Sequence, residues 1–190
     1  MSPRTKKQFK EIRNDKEALI QETALRLFAS NGYLSTPVSL IAKGAGISKG
    51  LMYNYFKSKE ELLHKIMLEN LNQFMDFLVV EDINNVQKHE IVSFIDGNFL
   101  LLEKNHDFFK LYFSLLIQPD VLSILENDIM KMFEEVIVAI NNYYEKKGCK
   151  KASIKTRFLL AIFDGVGIHY ILDTDNFPLN DVKEMIIDQL

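Results

Sequence analysis

One eight-residue run carries most of the recognisable chemistry in this chain: Ser48-Lys49-Gly50-Leu51-Met52-Tyr53-Asn54-Tyr55. It offers a hydroxyl, an ammonium, a carboxamide and two phenols, groups that donate to phosphate oxygens and to the edges of bases. Gly50 lets the backbone approach another surface with no side chain between. Nothing comparable points to catalysis. His64, His89, His106 and His169 have no paired metal-ligand spacing, and Cys149 has no neighbouring thiol. There is no phosphate-binding glycine loop and no nucleophile elbow. No enzyme activity, metal or cofactor is therefore expected. Cys149 lies among Lys146, Lys147, Lys150 and Lys151. A redox-sensing thiol is one alternative there, and an incidental loop cysteine is the default.

The run must be held by helices, and the flanking pattern supplies them. Ile20, Ala24, Leu27 and Phe28 form one apolar stripe, started by Asn14 with Glu17 and stopped at Asn31-Gly32. Thr36-Pro37 opens a second, short helix with Val38, Ile41, Ala42 and Ala45 inward. Gly46 permits a tight turn, and Ser48 caps a third helix with Met52 and Phe56 on its inner face. Three short helices, the last two joined by a glycine-containing turn, form a helix-turn-helix. Residues 1–13, with Arg4, Lys6, Lys7, Lys10 and Arg13, are expected to be a flexible basic arm.

Ser58 with Glu61 opens a longer amphipathic helix through Leu62, Leu63, Ile66, Met67, Leu71, Phe74 and Phe77, expected to reach Val80. Later breaks leave helices over about 86–103, 107–117, 120–147, 153–172 and 180–190. With only 8 Gly and 4 Pro, the turn chemistry of many short strands is missing. The fold class is all-α, about nine helices, with a DNA-binding domain over 1–60 and a second helical domain over 61–190. Charge divides along that line. Residues 1–60 carry 11 Lys/Arg against 5 Asp/Glu, whereas the whole chain carries 23 against 26. A basic head on an acidic body is the footprint of a polyanion-binding domain on a carrier. A single cysteine fits a reducing compartment. The longest apolar stretch, Phe158 to Leu172, is broken by Asp164 and His169, so a cytoplasmic protein without a membrane segment is expected.

Ile20 through Leu63 resembles the DNA-binding region of TetR/AcrR-family bacterial regulators. The resemblance rests on Ala24, Phe28, Gly32-Tyr33, Thr36, Val38, Ile41-Ala42, Ala45-Gly46-Ile47-Ser48-Lys49-Gly50, Tyr53, Tyr55-Phe56-Lys57, Lys59-Glu60 and Leu62. It implies that Thr36, Ser48, Tyr53 and Lys59 contact backbone phosphates, and that Lys49, Gly50, Asn54 and Tyr55 face the major groove. Leu51 stands where such regulators often carry a small polar residue; contact with a thymine methyl suits it. The implied protein is a homodimer on a near-palindromic operator, paired through the Ser153–Leu172 and Asn180–Leu190 helices. Repression is the family's usual mode, and the 14 Phe with no Trp suit an apolar cavity for a small hydrophobic effector. An architectural DNA-binding protein without ligand response is the rival.

Candidate lining for an effector site is Phe94, Asn98, Phe109, Tyr112, Phe113, Phe133 and Phe163, with Asp164 and His169 as polar groups that orient a ligand. Aromatic residues at helical spacing are more often plain core. Gly165 and Gly167 inside an apolar helix require compensation. Close helix packing is favoured over a ligand pressed on the backbone.

Overall fold

Thr5, not Asn14, opens the first helix. The computed structural model describes residues 5–190, and α1 spans Lys6–Asn31. Thr5 N donates to Gln8 Oε1 at 2.9 Å while Gln8 N donates to Thr5 Oγ1 at 3.3 Å, a capping box one segment earlier than expected. From Lys6 to Asn31 there is no proline or glycine, and straight-chain helix formers dominate, so the polar segment extends the helix. From Thr5 onward the expected arm is therefore helical; Arg4 lies outside the described residues.

Gly32, at φ +86°, ends α1 in a conformation that L side chains rarely adopt. Then come α2 (Val38–Gly44), α3 (Lys49–Met52) and α4 (Lys59–Met75). The rest of the chain adds α5 (Lys88–Lys104), α6 (His106–Leu116), α7 (Pro119–Lys146), α8 (Ala152–Leu172) and α9 (Leu179–Asp188). The described residues thus form an all-α chain. Pro119 begins α7 rather than preceding it, as suits a residue with no N–H to leave unpaired. α4 ends five residues before Val80. Among the described residues no single helix is long and apolar enough to cross a membrane.

The chain forms two compact units that do not follow chain order. One comprises the segment ending at Glu69 together with Leu111–Leu125; the other comprises Asn70–Lys110 and Glu126–Leu190. α4, α6 and α7 each begin in one unit and end in the other. The first unit closes over Ile20, Phe28, Ile41, Met52, Phe56, Leu62, Leu63 and Ile66, all essentially inaccessible. The second is built on Ile91, Phe94, Ile95, Val136, Ala139, Ile140 and Leu159.

Glu90 anchors the start of α5. Its carboxylate accepts from Gln87 N at 2.7 Å and from Glu81 N at 2.8 Å, and these bonds hold its pKa below the ordinary 4.5. A depressed folded pKa contributes stability above the unfolded value and loses it as pH falls through the folded one. Glu90→Leu is expected to cost about 1–2 kcal/mol at pH 7, because it removes two hydrogen bonds to a charged acceptor. In urea titrations the gap from wild type should narrow steadily below pH 4.5. A gap independent of pH would remove the carboxylate from the explanation.

Candidate nucleic-acid interface

The turn between α2 and α3 sets how the Ser48–Tyr55 run is presented. Ala45 N donates to Ile41 O at 2.9 Å and Ile47 N to Ala42 O at 3.0 Å, with Gly46 at φ +65° between them. Ala42 and Ala45 are buried and small, which lets α2 and α3 cross closely. Ser48 Oγ then accepts from Leu51 N at 3.1 Å, starting α3 at the expected residue. The helix is a single turn. It continues as tighter turns, with Asn54 N donating to Leu51 O and Tyr55 N to Met52 O, both at 3.0 Å. Met52 and Phe56 point into the core at 1% and 2% exposure, which turns the opposite side outward. Ser48, Lys49, Gly50, Leu51, Tyr53 and Asn54 are exposed, and Tyr55 is half-buried. Leu51 is 40% and Tyr53 46% exposed, so both side chains are available to a partner. A Cβ at Gly50 would meet nothing, so the backbone there is open to a partner.

Thr36 and Lys59, expected as phosphate contacts, make their hydrogen bonds within the protein. Thr36 is fully buried, and its hydroxyl lies 2.8 Å from Gly32 O and 3.2 Å from Leu27 O. It closes the end of α1 instead of capping α2, whose N-cap is Pro37. Lys59 Nζ donates to Tyr33 O at 2.8 Å, Thr36 O at 3.2 Å and Leu34 O at 3.4 Å, and lies 4.3 Å from the centre of the Tyr33 ring. Its three protons are directed at carbonyls, and desolvation lowers its pKa. Both residues shape the Gly32–Pro37 loop that launches α2.

Two positioning residues escaped the sequence reading. Arg13 Nη2 donates to Asn54 O at 3.3 Å, and its guanidinium lies 5.6 Å from the Tyr55 ring centre, bracing the end of the exposed run. Gln118 accepts from Tyr33 N at 2.9 Å and donates to Phe28 O at 3.1 Å, pinning the end of α1. Neither pair leaves a sequence signal, since the partners are 41 and 85–90 residues apart.

The expected effector lining divides. In the second unit Phe94 and Phe99 pack on Phe163 at 6.0 and 5.8 Å, and Phe74 packs on Phe109 at 5.0 Å. Asn98 Nδ2 joins these groups, donating to Phe94 O at 2.8 Å and Phe74 O at 3.3 Å. Phe133 is half-buried on α7. Tyr112 and Phe113, with rings 5.9 Å apart, belong to the first unit. Asp164 and His169, expected to orient a ligand, lie on the exposed side of α8, because the helical period that buries Leu159, Val166 and Tyr170 turns them outward. A Cβ at Gly165 would meet nothing within 4 Å, so packing inside the protomer does not account for that glycine. No cluster of metal-binding side chains occurs among the described residues.

The sequence profile of the bacterial regulatory proteins of the tetR family matches residues 15–66, the span that builds this surface. The chain carries a TetR-family DNA-binding domain over these residues. It is a DNA-binding transcriptional regulator, as TetR-family proteins are. Over 180 residues it is 26% identical to the fatty acid metabolism regulator protein of Bacillus subtilis, covering 88% of this chain and 92% of that one. Over 62 residues it is 56% identical to the HTH-type transcriptional regulator YuxN of the same organism, covering 33% of this chain and 20% of that one. Its fold is similar to that of the fatty acid degradation regulator FadR from Bacillus halodurans, with TM-score 0.65, 19% identity, and coverage of 91% and 93%. TetR-family regulators bind DNA operators and small-molecule effectors as dimers.

Proposed function

We propose that this protein is a cytoplasmic repressor that binds a near-palindromic operator as a homodimer and leaves it when a small hydrophobic effector binds the second domain, residues 61–190. The observation that carries the reading is the exposed face of Ser48, Lys49, Gly50, Leu51, Tyr53 and Asn54, set on a buried Met52–Phe56 core. Ser48 and Tyr53 contact phosphates and fix register; Lys49, Gly50, Asn54 and Tyr55 face base edges, and Leu51 meets a thymine methyl. Two such heads on a dimer reach successive major grooves, about 34 Å apart. The effector class is supported by the aromatic interior of the second unit and by the name of the Bacillus subtilis relative.

Dimerisation through α8 and α9 is supported by the outer side of α8. Ile154, Phe158, Ala161, Gly165, Ile168 and Leu172 recur at alternating four- and three-residue steps, the spacing of a helix-pairing seam. Phe158 is 60% and Leu172 76% exposed in the protomer. Such a stripe needs cover, and the open notch at Gly165 admits a second helix closely.

A mobility-shift assay on DNA flanking the protein's own gene tests the reading. A salt-sensitive complex on a near-palindrome is expected; binding that ignores sequence overturns it. Tyr53→Ala should weaken binding across all operator variants, whereas Leu51→Ala should change preference at one base position by about 1–3 kcal/mol. Uniform loss from both would erase the division between phosphate and base contacts.

A further inference from the structure

Phe77 follows α4 by two residues and is half-buried in the second unit. Its ring covers α5 at Gly97, where even a Cβ would overlap it. The adjacent residue, Asn98, holds the same end of α4, since its amide donates to Phe74 O in the last helical turn. Both Nδ2 partners, Phe74 O and Phe94 O, are carbonyls, which fixes the amide's orientation: exchanging nitrogen and oxygen would set acceptor against acceptor. Asn98 Oδ1 is consequently left sealed from solvent with no hydrogen-bond partner. A buried acceptor without a donor is a cost that folded proteins rarely carry unexplained.

We propose that Gly97 and Asn98 form an effector site closed by the protein's own Phe77, and that its ligand is a neutral apolar molecule bearing a hydroxyl or N–H donor. The ligand body takes the place of the Phe77 ring over Gly97, and its donor satisfies Asn98 Oδ1. This rests on the reading of the chain as an effector-responsive regulator. The ligand class follows from what the interior lacks. Among the described residues of the second unit, the buried side chains with polar atoms are Glu90, Asn98, Thr156 and the phenols of Tyr143, Tyr144 and Tyr170. Glu90 is engaged by Gln87 N and Glu81 N, and Thr156 donates to Ala152 O at 3.0 Å. No lysine or arginine is buried there, so an interior carboxylate or phosphate head would have no counter-charge. Asn98 Oδ1 would itself repel such a head. A ligand that evicts Phe77 also unseats the end of α4, whose first turns belong to the unit that carries the recognition run.

Calorimetric titration of the full chain with decan-1-ol, its methyl ether and decanoate tests the site. Wild type pays for opening before it binds, so Phe77→Ala is expected to bind decan-1-ol about tenfold more tightly. In that variant the alcohol should exceed the ether and decanoate by about three- to tenfold. Asn98→Leu should erase the preference for alcohol over ether; if it does not fold, the comparison within Phe77→Ala stands alone. Equal or absent alcohol binding in wild type and Phe77→Ala overturns the site. Decanoate binding more tightly than the alcohol overturns the ligand class. Decanoate releasing the operator while decan-1-ol does not would sink this proposal and leave the regulator reading intact. Failure of the regulator reading registers separately, as loss of operator sequence preference with no probe present.

Discussion

Replacing Phe158 by Arg is expected to yield a folded monomer whose operator affinity is lower by about 10²–10⁴-fold. The size of the effect comes from linkage. In a dimer, docking of one head makes docking of the second intramolecular, and that advantage vanishes with the interface. Phe158 sits within the α8 stripe, flanked by Ile154, Ala161, Gly165, Ile168 and Leu172. α8 has 21 residues, about 31 Å at 1.5 Å per residue, long enough for a continuous helix-pairing seam. A guanidinium inserted there would be desolvated against the apolar side chains of the stripe. Because Phe158 is 60% exposed in the protomer, the substitution should leave the protomer folded, losing only the stability that association supplies. Sedimentation velocity reports the association state and a mobility shift reports affinity. A Phe158→Arg dimer of wild-type strength would place the interface elsewhere.

That same stripe shows where sequence reasoning stops. Periodicity tells that residues share a helix face; it does not tell whether the face turns toward the protomer's core or away from it. α8 is apolar nearly all round, so Phe158 and Leu172 read like Leu159 and Tyr170, although the former are exposed and the latter buried. The helix-turn-helix was legible because its determinants are local. Ser48 caps three residues ahead, Gly46 supplies one positive φ, and Met52 and Phe56 share one face. Thr5 was missed because the segment from Thr5 to Arg13 is almost wholly polar, and hydrophobic periodicity is silent there. Thr36 was misjudged for a different reason. A hydroxyl next to proline reads as an exposed cap, but the carbonyls of Leu27 and Gly32 at the end of α1 take it inward. Lys59 likewise reads as a surface cation until the loop carbonyls around it are seen.

The geometry of that loop hangs on one ring, and Phe28→Ala should expose the dependence. Phe28 is fully buried, and its truncation is expected to cost about 3–5 kcal/mol through lost burial and the cavity left behind. The consequence should reach beyond stability. The Phe28 ring meets Tyr33 edge-on at 5.2 Å, and the Lys59 ammonium lies 4.3 Å from the Tyr33 ring centre. From there Lys59 holds the carbonyls of Tyr33, Leu34 and Thr36, the residues that lead into α2. Removing the lowest member of the stack frees Tyr33 to drop into the cavity, and the carbonyl cluster loses its fixed ammonium. The orientation of α2, and with it of α3, should then loosen. Phe28→Leu retains most of the volume but no ring, so it should keep more stability while losing the edge-on contact. Urea unfolding gives the energies. Operator affinity should be measured cold, where circular dichroism shows both variants folded. Weakened binding in folded Phe28→Ala would tie the stack to the presentation of the recognition run. Wild-type affinity in that state would mean that Phe28 stabilises the head without setting its shape, and that Lys59 holds the loop unaided.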